Sequence, residues 1–147
     1  MAWFKLNKID GWYNNAQQLA FLSRDPVGFF SGRDYIVEEY NGEYYMLAWD
    51  IRGSKLTPES SRGWKVSKAF QGQDQLGRPA INFLMDPRGA TLLGELTEAH
   101  VGDSMAVLLD DEIYTAPNLN GRISRNGQIM GDFSPTELAY IIRVLNA

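Results

Sequence analysis

The densest group of acidic side chains in this 147-residue sequence is the run Asp110, Asp111 and Glu112. Two carboxyl groups held about 5–10 Å apart can divide general acid and base work between them. This run, however, lies between two apolar, β-prone stretches, and adjacent residues of a tight turn point in divergent directions. A solvated turn is therefore the favoured interpretation. The alternative is a carboxylate-based hydrolase that uses these three residues or Asp132.

Other chemistry-bearing residues give weaker signals. His100 is the single histidine, and the sequence has no cysteine, which excludes disulfides, thiolate metal sites and cysteine nucleophiles. A metal site would have to draw nearly all its ligands from carboxylates. Ser104 and Ser134 lack the G-x-S-x-G context of a nucleophile elbow, and no glycine-rich phosphate loop occurs. The sequence predicts no catalytic residue, no metal site and no cofactor, and hence a protein that is not an enzyme.

Aromatic side chains form a second group, dense around Asn41-Gly42. Cross-strand packing explains most of them. Exposed Tyr and Trp side chains can also hold an extended polypeptide, by stacking and by side-chain hydrogen bonds. The candidate polypeptide-contact residues are Tyr40, Tyr44, Tyr45, Trp49 and Tyr114.

Composition limits the classes of partner. The chain has 14 Lys+Arg against 18 Asp+Glu, a net charge of −4, and no basic stripe, so we expect no nucleic-acid partner. No stretch of 18 apolar residues occurs, so we expect no membrane insertion by this chain and a soluble protein. A hydrophobic content of 44% suffices for a real core. We expect one domain over 1–147.

Two hairpins are expected to organise the strands. Asn-Gly between β-prone runs is the strongest local hairpin signal, because both residues tolerate the positive φ of a type I′ turn. The stretch Met105–Asn118 predicts a strand, a turn at Asp110-Asp111 and a second strand that ends at Pro117. We expect this hairpin at the centre of the sheet, with Met105–Leu109 buried on both faces. The apolar opening around Trp3 predicts an extended segment or an edge strand.

Capping signals predict four helices. Asn14 or Asn15 is expected to cap the first, and Asp25-Pro26 to start a second that stops at Gly32. Asp86-Pro87 starts a third, with Gly102 placed to terminate it. The fourth begins at the capping box Ser134–Glu137. The order of elements predicts an α+β fold with a mostly antiparallel sheet and helices on one face, in which 1–33 is a helical N-terminal extension.

Several segments recur together in one known family. They include Asp74-Gln-Leu-Gly-Arg-Pro-Ala-Ile-Asn-Phe, the hairpin run Leu108-Leu-Asp-Asp-Glu-Ile-Tyr-Thr-Ala-Pro117, and Gln128-Ile-Met-Gly-Asp-Phe-Ser134. In this order they resemble SecD, or the SecD half of a fused SecDF, at the head subdomain of its first extracytoplasmic domain. The resemblance covers 74–147, and the first half is similar to the longer N-terminal part of planctomycete SecD proteins. Asp111 stands where glycine is common in that family, and Thr115 where serine is common.

The resemblance implies a role in protein export. SecD and SecF are thought to use the proton-motive force to draw a translocating preprotein out of the SecYEG channel, and the head is proposed to touch the emerging chain. It also implies an extracytoplasmic, periplasmic location as part of a plasma-membrane protein. The family's transmembrane helices have no counterpart in this sequence, so we expect an excised head. A purely structural spacer is the second alternative to polypeptide contact.

Overall fold

The computed structural model of the protein describes residues 1–9, 12–13, 15–51, 54–57, 63–123, 125–129 and 133–146. Within them lie strands and helices that form two sheets with helices packed against them. The strands are β1 (Ala2–Leu6), β2 (Val37–Tyr40), β3 (Glu43–Ala48), β4 (Val66–Gln73), β5 (Pro79–Met85), β6 (Val107–Leu109), β7 (Glu112–Thr115) and β8 (Asn126–Ile129). The helices are α1 (Ala16–Arg24), α2 (Pro26–Ser31), α3 (Pro87–Ala99) and α4 (Pro135–Leu145).

The first sheet has five strands in the order β2-β3-β1-β7-β6. All its pairings are antiparallel except β1 with β7. The second sheet has three antiparallel strands in the order β4-β5-β8. The mixed, largely antiparallel α+β class predicted from the sequence is confirmed, although the strands divide into two sheets. Because β5 pairs with β4 on one edge and β8 on the other, it has no free edge with which to join the first sheet.

One face of the five-stranded sheet carries the first hydrophobic core. Phe29 and Phe30 of α2 pack with alternate residues of the strands, and Phe30 is fully buried. Their rings meet edge to face at 5.3 Å, a favourable aromatic geometry. The other buried members are Leu6, Leu22, Val37, Met46, Ile113 and Ala116. This face of the sheet is therefore closed by α1 and α2.

Strand β1 lies inside the five-stranded sheet, between β3 and β7. The opening residues are extended, as expected, but the expectation of an edge strand at Trp3 is wrong. The opening residues pair with β3 through Phe4 opposite Met46 and with β7 through Leu6 opposite Ile113. Such long-range pairing leaves no local signal in the sequence.

The β6–β7 hairpin lies at the end of the sheet, not at its centre, and β6 is an edge strand. The predicted burial of 105–109 on both faces is also wrong, because the side chain of Leu108 is 36% exposed. The inner strand β7 takes the buried position instead, with Ile113 fully buried. A run of five apolar residues did not distinguish the edge strand from its neighbour.

A second core joins the hairpin to the three-stranded sheet and α4. Its buried members are Ala69, Ile81, Ile129, Phe133, Leu138 and Ile141. Val107, Leu109 and Tyr114 of the hairpin pack against it. The hairpin thus contributes Ile113 to the first core and Tyr114 to the second, which explains its position between the sheets.

The predicted helix starts are confirmed. Asn15 accepts a hydrogen bond from the Gln18 N–H at 2.8 Å, and Asp25 accepts one from the Gly28 N–H at 3.1 Å. Ser134 and Glu137 form the reciprocal capping box of α4. Among the described helices none has both the length and the hydropathy to cross a bilayer, and the longest, α3, has 13 residues.

Candidate functional site

The five-stranded sheet has a second face, opposite the first core, which we call the outer face. Residues that pair directly across an antiparallel ladder point to the same side of the sheet. Trp3 pairs with Leu47, and Lys5 pairs with Tyr45. Continuing this register across β2 and β3 gives the members of the outer face: Trp3, Lys5, Ile36, Glu38, Tyr40, Glu43, Tyr45 and Leu47.

Large apolar and aromatic side chains of the outer face are open to solvent. Tyr40 is 68% exposed, Ile36 is 55% exposed and Trp3 is 49% exposed. Trp49, immediately after β3, is 60% exposed. A single exposed apolar residue is ordinary, but several on one strand surface make that surface the candidate for an interaction site.

A small charge network crosses the outer face. The Lys5 Nζ lies 3.1 Å from a Glu43 carboxylate oxygen and 3.6 Å from one of Glu112. The hydrogen bond between Lys5 and Glu43 raises the pKa of Lys5 and lowers the pKa of Glu43. Both groups stay charged at neutral pH, so the lysine neutralises part of the acidic charge on this face.

Tyr44 and Tyr45 point to opposite sides of β3. The Tyr44 hydroxyl donates to a Glu39 carboxylate oxygen at 3.0 Å, and its ring packs against the first core. The Tyr45 hydroxyl donates to Glu43 at 3.2 Å on the outer face. The pKa values of Tyr44 and Tyr45 are both raised, and in each case the main cause is burial of the ring. Of these two, only Tyr45 belongs to the outer face.

Tyr114 lies apart from the other aromatic candidates. Its ring stacks on Phe133 with centroids 5.5 Å apart and an interplanar angle of 16°. Burial, aided by the nearby carboxylates of Glu112 and Glu137, raises the pKa of Tyr114 to about 12. The structure thus brings Tyr40 and Tyr45 together on the outer face, with Trp49 at the end of β3, and puts Tyr114 in the second core.

The acidic turn has the geometry of a tight hairpin. Asp110 and Asp111 both have positive φ, 51° and 64°, and both are exposed. Glu112 is the first residue of β7, and its carboxylate lies 3.6 Å from the Lys5 Nζ. Asp132 lies outside the described residues. The arrangement gives Asp110 and Asp111 the role of turn residues, as the favoured interpretation predicts.

The described residues also form an open cavity of about 470 Å³ beside α4. Its lining is mostly apolar, with Arg143 as its ionisable group and no carboxylate. No group of three or more His, Cys, Asp or Glu side chains suited to a metal ion occurs in the described part of the chain. Within that part, no metal centre supports the hydrolase alternative.

Sequence reasoning missed the two exposed apolar members of the outer face other than the tyrosines, Trp3 and Ile36. The signal for Trp3 was available: Trp3 and Lys5 alternate with Phe4 and Leu6, the pattern of a strand with unlike faces. Ile36 precedes β2, and its carbonyl accepts from the Leu47 N–H at 2.9 Å. Without the register that this bond sets, no local pattern assigns its side chain to a face.

Fold and surface together define a class of protein: an α+β module that presents an open, partly aromatic sheet face. Comparison with solved structures supports this fold. The membrane component SecDF that enhances protein export is similar to this chain with a TM-score of 0.54 and 23% identity, over 98% of this chain and 60% of that one. SecDF in a super-membrane-facing form gives the same TM-score and identity, over 18% of its own length.

The family is shown by sequence. The profile of the SecDF P1 head subdomain matches residues 53–147, and the chain belongs to that family. The protein translocase subunit SecD of Aquifex aeolicus is 38% identical over 84 residues, covering 55% of this chain and 17% of the relative. The SecD subunit of Rickettsia prowazekii is 34% identical over 110 residues, covering 72% and 20%. The chain therefore spans a fifth or less of the length of these relatives.

Proposed function

We propose that this chain is a non-catalytic, extracytoplasmic module of the Sec translocon accessory complex that contacts translocating polypeptide during proton-motive-force-assisted export. The partner in direct contact is the preprotein, and SecF and SecYEG are partners through the whole protein. The proposed location is the periplasmic side of the plasma membrane. Family membership and the relatives' role as translocase subunits support this proposal.

The open outer face is the observation that carries the proposal. A module that binds many different polypeptides needs apolar contact without a closed, selective pocket. Tyr40, Trp3 and Ile36 offer rings and an aliphatic side chain on one sheet surface. Tyr and Trp provide large contact areas at low entropic cost, and this suits transient binding.

Export rates in cells that depend on the full-length protein test the proposal. We expect the double variant Trp3→Ser/Tyr40→Ser to slow export of a reporter preprotein, because it removes two exposed rings from the outer face. Tyr140→Ser is the matched control, since Tyr140 is 48% exposed on α4. Both variants must be present at wild-type amounts. Equal export rates for the outer-face variant and the wild type would favour the spacer interpretation.

A further inference from the structure

The side chains of the outer face form rows that run across the strands, because residues paired across a ladder lie side by side. One row is apolar: Leu47 of β3 lies between Trp3 of β1 and Ile36, which precedes β2. Trp3 and Ile36 are both exposed. Neighbouring strands lie about 4.8 Å apart, so the row is roughly 10 Å wide. It offers apolar contact to a side chain laid on the sheet.

The next row is polar and carries a carboxylate without a counter-charge. In this row Tyr45 lies between Lys5 on β1 and Glu38 on β2. The Lys5 ammonium is already engaged by Glu43 at 3.1 Å and by Glu112 at 3.6 Å. Glu38 is exposed and forms no ion pair or hydrogen bond with another described residue. The outer face therefore keeps an uncompensated negative charge at Glu38.

Two tyrosine rings lie beside the Glu38 carboxylate. Tyr45 is directly opposite Glu38 in the β2–β3 ladder, which puts their Cβ atoms about 5 Å apart. Tyr40 follows Glu38 by two positions on the same face, about 7 Å along the strand. The Tyr45 hydroxyl donates to Glu43, which is opposite Tyr40, so the Tyr45 ring extends toward Tyr40. A cationic side chain that reaches Glu38 can thus also lie over an aromatic ring, where cation–π attraction adds to the ion pair.

We propose that Glu38, Tyr40 and Tyr45 form a binding site for a Lys or Arg side chain of the polypeptide that contacts the outer face. Ile36 precedes Glu38 by two positions, and alternate side chains of an extended chain have the same spacing of about 7 Å. A large apolar side chain two positions from the cation therefore lies on the apolar row. An acidic segment would bring like charges together and is disfavoured. The inference rests on the proposed function and adds which polypeptide segments the outer face selects.

Peptide titrations on this chain, followed by amide NMR, test the inference. Three unstructured peptides share one sequence, with a leucine two positions before a variable residue that is Lys, Gln or Glu. We expect the Lys peptide to bind roughly three- to thirtyfold more tightly than the Gln peptide, and the Glu peptide to bind most weakly. The shifted amides should lie in β1, β2 and β3. Added salt should reduce the preference, because exposed ion pairs are screened.

Two neighbouring glutamates provide a matched pair of variants. Glu38→Gln and Glu39→Gln remove the same charge at adjacent positions on opposite faces of β2, and Glu39 accepts the Tyr44 hydrogen bond on the far side. We expect Glu38→Gln to bring the Lys and Gln peptides to within about threefold of each other, since only the weak attraction of the rings for the cation is left. Glu39→Gln should keep the wild-type preference.

A third variant tests the aromatic part of the site. Tyr40→Leu keeps an apolar side chain of similar reach and removes the ring. We expect it to weaken binding of the Lys peptide severalfold and to change binding of the Gln peptide little, because an aliphatic side chain has no cation–π attraction. Tyr140→Leu on α4 is the control, and it should change neither affinity.

Three results would overturn the inference: equal binding of the three peptides, equal effects of Glu38→Gln and Glu39→Gln, or amide shifts that arise from self-association or lie outside β1, β2 and β3. The proposed function keeps its own test. If the peptides bind equally and export still slows in Trp3→Ser/Tyr40→Ser, the outer face contacts polypeptide without selecting cations. If the lysine preference depends on Glu38 while export is unchanged in that double variant, the cation site stands and the proposed function fails.

Discussion

At the residue scale, Leu108 and Ile113 pair across the β6–β7 hairpin yet differ in environment. Leu108 is 36% exposed on the edge strand, and Ile113 is fully buried in the first core. We expect Ile113→Ala to lower the free energy of unfolding by roughly 2–5 kcal/mol through a core cavity. Leu108→Ala should cost about 1 kcal/mol or less, since much of its surface already meets water. Urea denaturation of both variants measures the difference, and equal losses would contradict these placements.

Asp111 adopts a backbone conformation that glycine adopts without steric cost. Its φ of 64° lies in the left-handed region, where a Cβ atom is unfavourable. We therefore expect Asp111→Gly to equal or exceed the wild type in stability and to exceed Asp111→Ala by about 1 kcal/mol. Thermal denaturation of the two variants provides the comparison. A more stable alanine variant would show that the turn does not require this geometry.

Asp74 is a buried carboxylate with three donors. Its oxygens accept from the N–H groups of Leu76 and Arg78, both at 2.9 Å, and from the Arg78 guanidinium at 2.7 Å. Burial alone would raise its pKa. The Arg78 backbone N–H and then the Arg78 side chain outweigh burial, and the pKa of Asp74 lies below its ordinary value.

The sign of this shift predicts a pH dependence. A carboxyl group whose folded pKa is depressed stabilises the fold above its unfolded pKa, about 3.9, and loses that contribution as pH falls through the folded value. We expect Asp74→Asn to cost roughly 1–3 kcal/mol at neutral pH. The gap to the wild type should narrow below pH ~4. Urea denaturation at both pH values checks this, and a gap independent of pH would contradict the assigned charge.

At the element scale, the side chain of Asn146 occupies the hydrogen-bonding edge of β4 that a neighbouring strand would otherwise use. Its amide pairs with both backbone groups of Ala69. Asn146→Asp keeps the acceptor, loses the donor and leaves the Ala69 carbonyl facing a carboxylate. We expect a loss of roughly 1–3 kcal/mol, against no more than about 0.5 kcal/mol for the exposed control Asn120→Asp. Equal denaturation midpoints for the two variants would count against this role.

Local signals predicted the local elements. The caps at Asn15, Asp25 and Ser134 and the turn at Asn41-Gly42 were readable because each depends on residues no more than four apart. Strand order was not readable, since the pairing of β1 with β7 joins residues more than a hundred positions apart. The same dependence on long-range pairing limited the prediction of the site. Tyr40 could be named from the sequence as a candidate contact residue. That Trp3 and Ile36 share its sheet face follows only from the strand register.

At the scale of the whole molecule, the outer face of the first sheet is covered at one end and exposed at the other. The second core and α4 cover the β6–β7 end of the first sheet through Tyr114 and Phe133. The Lys8 Nζ also lies 2.7 Å from Glu137 of α4, which ties the segment after β1 to the second half of the molecule. The β2–β3 end of the outer face is exposed. The proposed contact surface therefore lies next to the part of the sheet that the second core and α4 cover.

Site-specific photocrosslinking in the full-length protein tests the central claim most directly. A photoreactive amino acid is placed at Tyr40, on the outer face beside the β2 edge, or at the control position Tyr140 on α4, both exposed. An export substrate is then stalled during translocation. We predict adducts with the stalled polypeptide from position 40, and few or none from position 140. Absence of adducts at position 40, or equal yields at the two positions, would contradict the proposed contact surface.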